Sequence, residues 1–271
     1  MTTGLLHENR GIGIRHHQLI LPSVVCSTHV ARRIANGLDA ITFAHQHGCG
    51  IIGDDVAGID SFFAELAAHP NVSSVLIVGL GCETIQGQEL GAKLLETNKS
   101  TKYQIIQESG GVQGTVDSGI AAAKELEKQF PKNPVELANN QITVGIDHSN
   151  PKVDIAPLLK ALTDLGYKTQ VATASTFSID NFSKLMADKA QIIISLPDEN
   201  QPASGFPLIP VINIASTGAL HLAISDDFDL PASATTEEIT ALVQRVIAGE
   251  LTKAEKGNVG EIRAPRVVRS V

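Results

Sequence analysis

Short apolar runs alternate with polar segments whose apolar residues recur at helical spacing, and the alternation persists along most of the chain. The run 17–25 predicts a strand. Ser27 then suits the N-cap of a helix over 28–36, because its hydroxyl can accept a free first-turn N–H. A second strand is expected over 38–44. The next helix, 59–68, ends at His69-Pro70, since proline disfavours helical backbone in the residue before it. A strand over 73–79, a helix over 85–97 and a strand over 102–107 follow. The helix over 113–128 places residues 116, 120, 123 and 126 on one apolar face. The polar stretch 129–140, with two prolines, reads as a linker. Beyond it the pattern predicts strand 141–146, helix 152–165, strand 168–173, helix 178–188, strands 191–196 and 209–214, and helix 235–248. The basic, irregular residues after Lys256 predict a clasp on a neighbouring subunit or a frayed end.

Strands alternating with helices predict the α/β class, here as two three-layer α/β/α units with mostly parallel sheets. An N-terminal domain is expected over 1–130 and a C-terminal domain over 141–271. With no Trp, two Tyr and eight Phe, the core must rest on Val, Ile, Leu and Ala, as helix-covered parallel sheets do. A net charge of −8 argues against a nucleic-acid or anionic-membrane partner, because phosphate binding needs clustered Lys and Arg. No apolar run approaches the ~20 residues of a membrane helix. The first residues lack the basic start and apolar stretch of a signal peptide. Three cysteines, an odd number, then point to free thiols in a reducing compartment, and a cytoplasmic protein is expected.

Those cysteines change the picture most. Cys26, Cys49 and Cys82 each follow an expected strand and precede a helical pattern. In parallel sheets that edge is where ligands bind. Cys49 ends His45-Gln46-His47-Gly48-Cys49, where histidines two apart on extended backbone point the same way, and His with Cys suits Fe(II) or Zn(II). A metal site on Cys26, His47, Cys49 and Cys82 is therefore expected; an iron–sulfur cluster is the alternative, although the spacing is not compact. Gly79-Leu80-Gly81-Cys82-Glu83 carries half of a dinucleotide fingerprint but lacks the third glycine. It also forms a tight turn presenting Cys82 and Glu83 at a helix N-terminus, where negative charge is stabilised. In Gln107-Glu108-Ser109-Gly110-Gly111, successive glycines before a helix can expose N–H groups to a carboxylate or phosphate. Arg15, clustered with Arg10, His16 and His17, can clamp a carboxylate bidentately or belong to a solvated basic stretch. Asp147-His148-Ser149-Asn150 reads mainly as a helix cap. Ser216-Thr217-Gly218 and Ser225-Asp226-Asp227 are candidates for substrate hydroxyls, and Lys253 with Glu255 reads as a surface ion pair.

In this order the motifs resemble the altronate and galactarate dehydratase family of sugar-acid hydro-lyases, which includes the large subunit of sulfolactate sulfo-lyase. The resemblance runs through Gly13-Ile14-Arg15, Leu21-Pro22-Ser23-Val24-Val25-Cys26-Ser27, Ala31-Arg32-Arg33-Ile34-Ala35 and His47-Gly48-Cys49-Gly50. It continues through His69-Pro70-Asn71-Val72, the Gly79 and Gln107 motifs, Pro210-Val211-Ile212-Asn213-Ile214-Ala215-Ser216, Ser225-Asp226-Asp227 and the segment 249–255. It covers residues 10–128 and 207–256. Where relatives carry a longer central region with a Cys-Gly-Gly-Ser-Asp motif, this chain has Asp147-His148-Ser149-Asn150.

The resemblance implies a metal-dependent lyase that dehydrates a sugar acid or related hydroxy acid, as an enzyme or its large subunit. In such chemistry the α-proton beside the carboxylate is removed and a chelated divalent metal stabilises the dianionic intermediate. A neutral imidazole serves as base, or as acid for the leaving hydroxide. Fe(II) is the implied metal, with Mn(II) or Zn(II) behind it. The implied catalytic groups are His45, His47 and Glu83; Arg15, Gln107, Glu108, Ser109, Gly110 and Gly111 would hold the substrate. A small partner subunit and a homo-oligomer are expected, with no nucleic acid or membrane. The rival expectations are a non-catalytic sugar-acid-binding paralogue and, more weakly, a nicotinamide-dependent oxidoreductase built on Gly79-Leu80-Gly81.

Overall fold

The computed structural model describes residues 2–97, 99–173, 178–199 and 201–265. In chain order the elements are β1 (Thr2–His7), β2 (Gly11–Gly13), β3 (His17–Pro22), α1 (Thr28–Asn36), β4 (Ala40–Ile41), α2 (Asp54–Ala67), β5 (Val72–Gly79), α3 (Gly87–Thr97), β6 (Thr101–Ile105) and α4 (Gly111–Gln129). They continue with β7 (Pro134–Leu137), β8 (Thr143–His148), α5 (Ala156–Asp164), β9 (Lys168–Ala172), α6 (Ser178–Ala187), β10 (Ile192–Leu196), β11 (Val211–Asn213), α7 (Gly218–Ala223), α8 (Thr236–Ile247) and α9 (Lys253–Lys256). The chain forms two compact, discontinuous units. One comprises residues 6–11, 16–133 and those from Ile262 on; the other comprises residues 1–5, 12–15 and 134–261.

The first unit, which carries the cysteine and histidine motifs, is built on a parallel sheet in the order β4-β3-β5-β6. Strand β5 is buried at all eight positions, and its Val75–Val78 stretch is continuously apolar rather than alternating. Ile20, Leu76 and Val78 pack against Val30 and Ile34 of α1 and Val116 and Ala123 of α4. Helix α1 pairs with α4, and α2 with α3. Helix α1 spans the expected residues 28–36. Helix α2 starts five residues before the expected 59, because Gly53 (φ 62°) turns the chain and Asp54 and Asp55 complement the positive helix start. Strand β4 keeps only two of the seven residues expected over 38–44. Beyond it the Thr42 hydroxyl donates to the Ile20 carbonyl at 2.8 Å, so a side chain replaces the ladder.

The second unit holds a parallel sheet in the order β11-β10-β8-β9. Its strands, taken in sequence, follow the same order as the first unit's: second, first, third, fourth. Val144, Ile146, Ile192 and Ile194 pack with Leu158 and Leu162 of α5 and Leu242 and Val246 of α8. The stretch 129–140 is not merely a linker. Its residues Pro134–Leu137 form β7, which pairs antiparallel with Thr2–Leu5. Pro134 opens the strand, where a missing N–H is tolerated. Among the described residues no helix is long and apolar enough to cross a membrane.

The basic residues near the N-terminus are buried rather than solvated. Arg10 donates to the carbonyls of Ala67 at 2.7 Å and Ser73 at 3.0 Å. The His7 Nδ1–H donates to the Pro70 carbonyl at 2.6 Å, which leaves Nε2 to accept from His16 Nδ1 at 3.0 Å.

Candidate functional site

Four loops leave the carboxyl ends of the first unit's strands: 23–27 after β3, 42–53 after β4, 80–86 after β5 and 106–110 after β6. Backbone hydrogen bonds stitch each to a neighbour. Val25 N–H donates to the His47 carbonyl at 2.9 Å, and Thr84 N–H to the Cys49 carbonyl at 3.2 Å. Ser23 N–H donates to Val78 at 3.0 Å, and Gln107 N–H to Leu80 at 3.2 Å. The sheet order reverses between β3 and β5, the first and third strands, and ligands of open parallel sheets bind at such a reversal. The cysteine, histidine, Glu83 and 107–111 motifs therefore share one edge of one sheet, whereas Arg15 and the segments 147–150, 216–218 and 225–227 belong to the second unit.

At the reversal, the buried Glu83 carboxylate organises two loops. It accepts from Ser23 Oγ at 2.8 Å, Leu80 N–H at 3.0 Å and Gly81 N–H at 2.6 Å. Burial alone would push its carboxyl up, but hydrogen bonds from Gly81, its own backbone, Ser23 and Leu80 outweigh this and hold it below the usual carboxylate range. Glycines are required around it. A Cβ on Gly79 would sit 2.7 Å from Glu83 Oε1, and Gly81 (φ 118°) would place one 2.7 Å from Gln107 Oε1. Glu83 is thus a bound structural anion, not a free base. Because its carboxylate takes the Leu80 and Gly81 N–H groups, the turn has none of these donors left for a pyrophosphate. The dinucleotide expectation fails on this geometry.

The two histidines differ. His45 is 1% exposed and lies among Phe43, Phe63 and His47, with ring centroids 6.4, 5.5 and 5.6 Å away. Burial first, then the neighbouring His47, lowers its pKa to about 4, so it is neutral at physiological pH. Its Nδ1 accepts the His47 backbone N–H at 3.0 Å, which puts the proton on Nε2, and Nε2 has no hydrogen-bond partner among the described residues. His47 Nε2 lies 3.2 Å from the Ala264 carbonyl, an acceptor only, so that nitrogen also carries its proton. His47 lines a cavity of about 210 Å³ together with Gly48, Gly50, Ile51, Ile52, Asp55 and Ile59. A second cavity, about 520 Å³, opens between one face of α2 (Val56, Ala57, Asp60) and one face of α3 (Glu89, Leu90, Lys93).

His7 resembles His45 in one respect: burial lowers its pKa to about 4 as well. Both imidazoles stay neutral in the folded chain while the unfolded chain protonates them near pH 6.5. Stability is therefore full above about 6.5 and falls as pH drops towards 4. The expected loss is about 3 kcal/mol per imidazole by pH 4. Urea unfolding at pH 7 and pH 4.5 measures it, and a His45→Phe variant should show a shallower pH slope than the parent.

The donors do not fit a metal as folded. Cys26 and Cys82 are exposed and Cys49 is half-buried. Among the described residues no three His, Cys, Asp or Glu side chains converge on a point that could hold an ion. His45 has no lone pair to offer, because its Nδ1 accepts the His47 backbone N–H and its Nε2 carries the proton, whereas His47, with Nε2–H on the Ala264 carbonyl, keeps a free lone pair on Nδ1.

Around Gln107–Gly111, the N–H groups of Glu108 and Ser109 donate to Ile105, and that of Gly111 to Ile106. Ser109 Oγ donates to Gln104 Oε1 at 3.2 Å. Those donors cap a turn, while Gln107, Glu108 and Gly110 are exposed at the edge. Arg15 departs from expectation altogether. It belongs to the second unit, and its five N–H groups meet both Glu255 oxygens (2.7 and 3.0 Å) and the carbonyls of Ile14, Val246 and Glu250. It is a structural cation, not a substrate clamp. Glu255 therefore does not pair with Lys253, whose Nζ donates to the Ser225 carbonyl. Asn150 Oδ1 accepts the Lys152 N–H as a turn cap, and Thr217 caps α7. Asp147 instead sits fully buried in the second unit, accepting from Ser149, Asn181 and Ser195.

Three features of the edge have no counterpart in the sequence reading: the Ser23–Glu83 bond, Asp55 on the His47 cavity, and the docking of Ile262–Ala264 on Gln46. Gly-x-Gly-x-Glu could have signalled the first, since it sets a carboxylate two residues after a turn N–H. The residues after Lys256 are not frayed up to Pro265; those from Arg266 on lie outside the described residues.

Residues 4–130 match the family described as D-galactarate dehydratase/Altronate hydrolase, second domain. An altronate dehydratase from Bacillus subtilis (strain 168) is 29% identical over 137 residues, 46% of this chain and 27% of that protein. An altronate dehydratase from Escherichia coli (strain K12) is 36% identical over 89 residues, 29% of this chain and 18% of the relative. The matched segment thus spans less than a third of either relative.

Proposed function

We propose that the chain, whose residues 4–130 match the D-galactarate dehydratase/Altronate hydrolase second-domain family, binds a hydroxylated carboxylic acid at the carboxyl edge of β4-β3-β5-β6 and removes water from it. One observation carries the reading: the family motifs of four separate loops are bonded together at the reversal of strand order, where His47 borders a cavity. Elimination needs a group to take the α-proton and a proton for the departing hydroxide. An imidazole can serve as both acceptor and donor of a proton, and His47 is the imidazole that borders the cavity. His45 accepts the His47 backbone N–H and so orients the loop. Glu83 keeps the 80–86 turn open beside Ser23.

The partial span of the match favours a second reading, a sugar-acid-binding module that works with a small partner subunit or further copies of the chain. Incubation with altronate, galactarate or sulfolactate under reducing conditions separates the two. Each arm is run with and without added Fe(II), Mn(II) or Zn(II). A 2-oxo product supports the hydro-lyase; saturable binding without product supports the module. Neither binding nor product in any arm would remove both.

A further inference from the structure

Residues Ile262–Ala264 lie on the His45–Cys49 loop as an extended peptide lies on a receptor. Alternate side chains point in: Ile262 is 0% and Ala264 3% exposed, while Glu261, Arg263 and Pro265 face solvent. The Gln46 carboxamide reads the peptide backbone in both directions. Its Nε2 donates to the Ile262 carbonyl and its Oε1 accepts the Ala264 N–H, each at 3.1 Å. One side-chain amide thus substitutes for a strand edge, the arrangement by which extended peptides are captured through main-chain bonds and alternate side-chain seats. The same peptide supplies the Ala264 carbonyl, 3.2 Å from His47 Nε2.

We propose that Ile262–Ala264 is a latch, held by Gln46, that fixes the His47 proton on Nε2, shields that nitrogen and leaves Nδ1 as the basic atom of the ring. The inference rests on the reading of His47 as the proton-carrying group, and it makes Gln46 a positioning residue. A carbonyl only accepts, so a docked latch permits one neutral tautomer. An opened latch exposes Nε2 to solvent. Closing it costs the order of a short segment, offset by the two Gln46 bonds and the seated Ile262 side chain. Losing two neutral hydrogen bonds shifts such an opening equilibrium by about thirtyfold.

Two measurements that need no turnover test the latch. Nitrogen-15 spectra of the wild-type chain should place the neutral His47 proton on Nε2; a proton on Nδ1 would overturn the proposal. Carbethoxylation by diethyl pyrocarbonate, followed residue by residue in a mass spectrometer, should be slow at His47 beside the exposed His29. In the Gln46→Ala chain it should quicken about thirtyfold, with His29 unchanged. Ile262→Asp, which evicts the seated side chain, should do the same if Gln46→Ala fails to fold, folding being checked by a cooperative melt. Equal His47 rates in the wild type and a folded variant would contradict the latch. Failure of the dehydration assay alone would leave these readouts intact.

Discussion

Replacing Glu83 by alanine is expected to destabilise the protein by about 4 kcal/mol and to abolish any sugar-acid binding at the sheet edge. The residue is 2% exposed and gathers Ser23 Oγ and the Leu80 and Gly81 N–H groups, with Gly87 N–H more distant at 3.4 Å. Truncation strands these donors where water does not reach them easily, and each stranded buried donor costs about 1–3 kcal/mol. The contributions are not additive, because the loop relaxes once the first bond is lost. Glu83→Gln keeps the shape but aims an NH₂ group at N–H donors, so it should recover only part of the loss. The pH dependence has its own sign. The carboxyl is held below its ordinary value of 4.5, so its contribution is present above that pH and fades as pH falls through the lowered folded value. Guanidinium unfolding of the three chains checks the order wild type, glutamine, alanine. An alanine variant as stable as the wild type would show that the carboxylate does not organise the loops.

Arg15→Ala should cost about 3–5 kcal/mol and leave sugar-acid affinity of the folded protein unchanged. The guanidinium is 9% exposed, and its removal leaves Glu255, itself only 17% exposed, without a cation. Carbonyls of Ile14, Val246 and Glu250 lose donors as well. Arg15→Lys should rescue little, since an ammonium cannot reproduce a five-donor fork. Denaturant midpoints paired with a ligand titration decide the point. An unchanged midpoint with lost affinity would restore Arg15 to the substrate site.

The sequence revealed what depends on local pattern and hid what depends on distant pairing. Helix α1 and strand β5 were legible because an apolar stripe, or an apolar run, leaves few alternatives; the expected Ser27 cap does not form, since its hydroxyl donates to the Val24 carbonyl at 2.9 Å and accepts no helical N–H. The arrival of the motifs at one sheet edge followed from strands alternating with helices. Strand β4 was overestimated because a side-chain bond from Thr42 can replace a ladder without changing the apolar pattern. Arg15 was misread because its partner lies 240 residues on, within a segment that scans as a surface ion pair. Gln46 was passed over since nothing local shows that residues 262 and 264 return to it. The metal expectation came from residue types placed at strand ends and from the family resemblance, not from side-chain directions. Soft ligands at strand ends do not fix where their side chains point, and among the described residues they do not converge.

Whether the His47 edge binds and dehydrates a sugar acid is decided by turnover of matched chains. Wild type and His47→Asn are incubated with altronate and with galactarate, and the 2-oxo acid is measured over time. Asparagine retains a donor within reach of a carbonyl but cannot exchange a proton near neutral pH. The wild type should yield product, and the variant should lose about a hundredfold or more of that rate. Equal turnover by both chains, or no binding and no product from the wild type, would contradict dehydration at this edge.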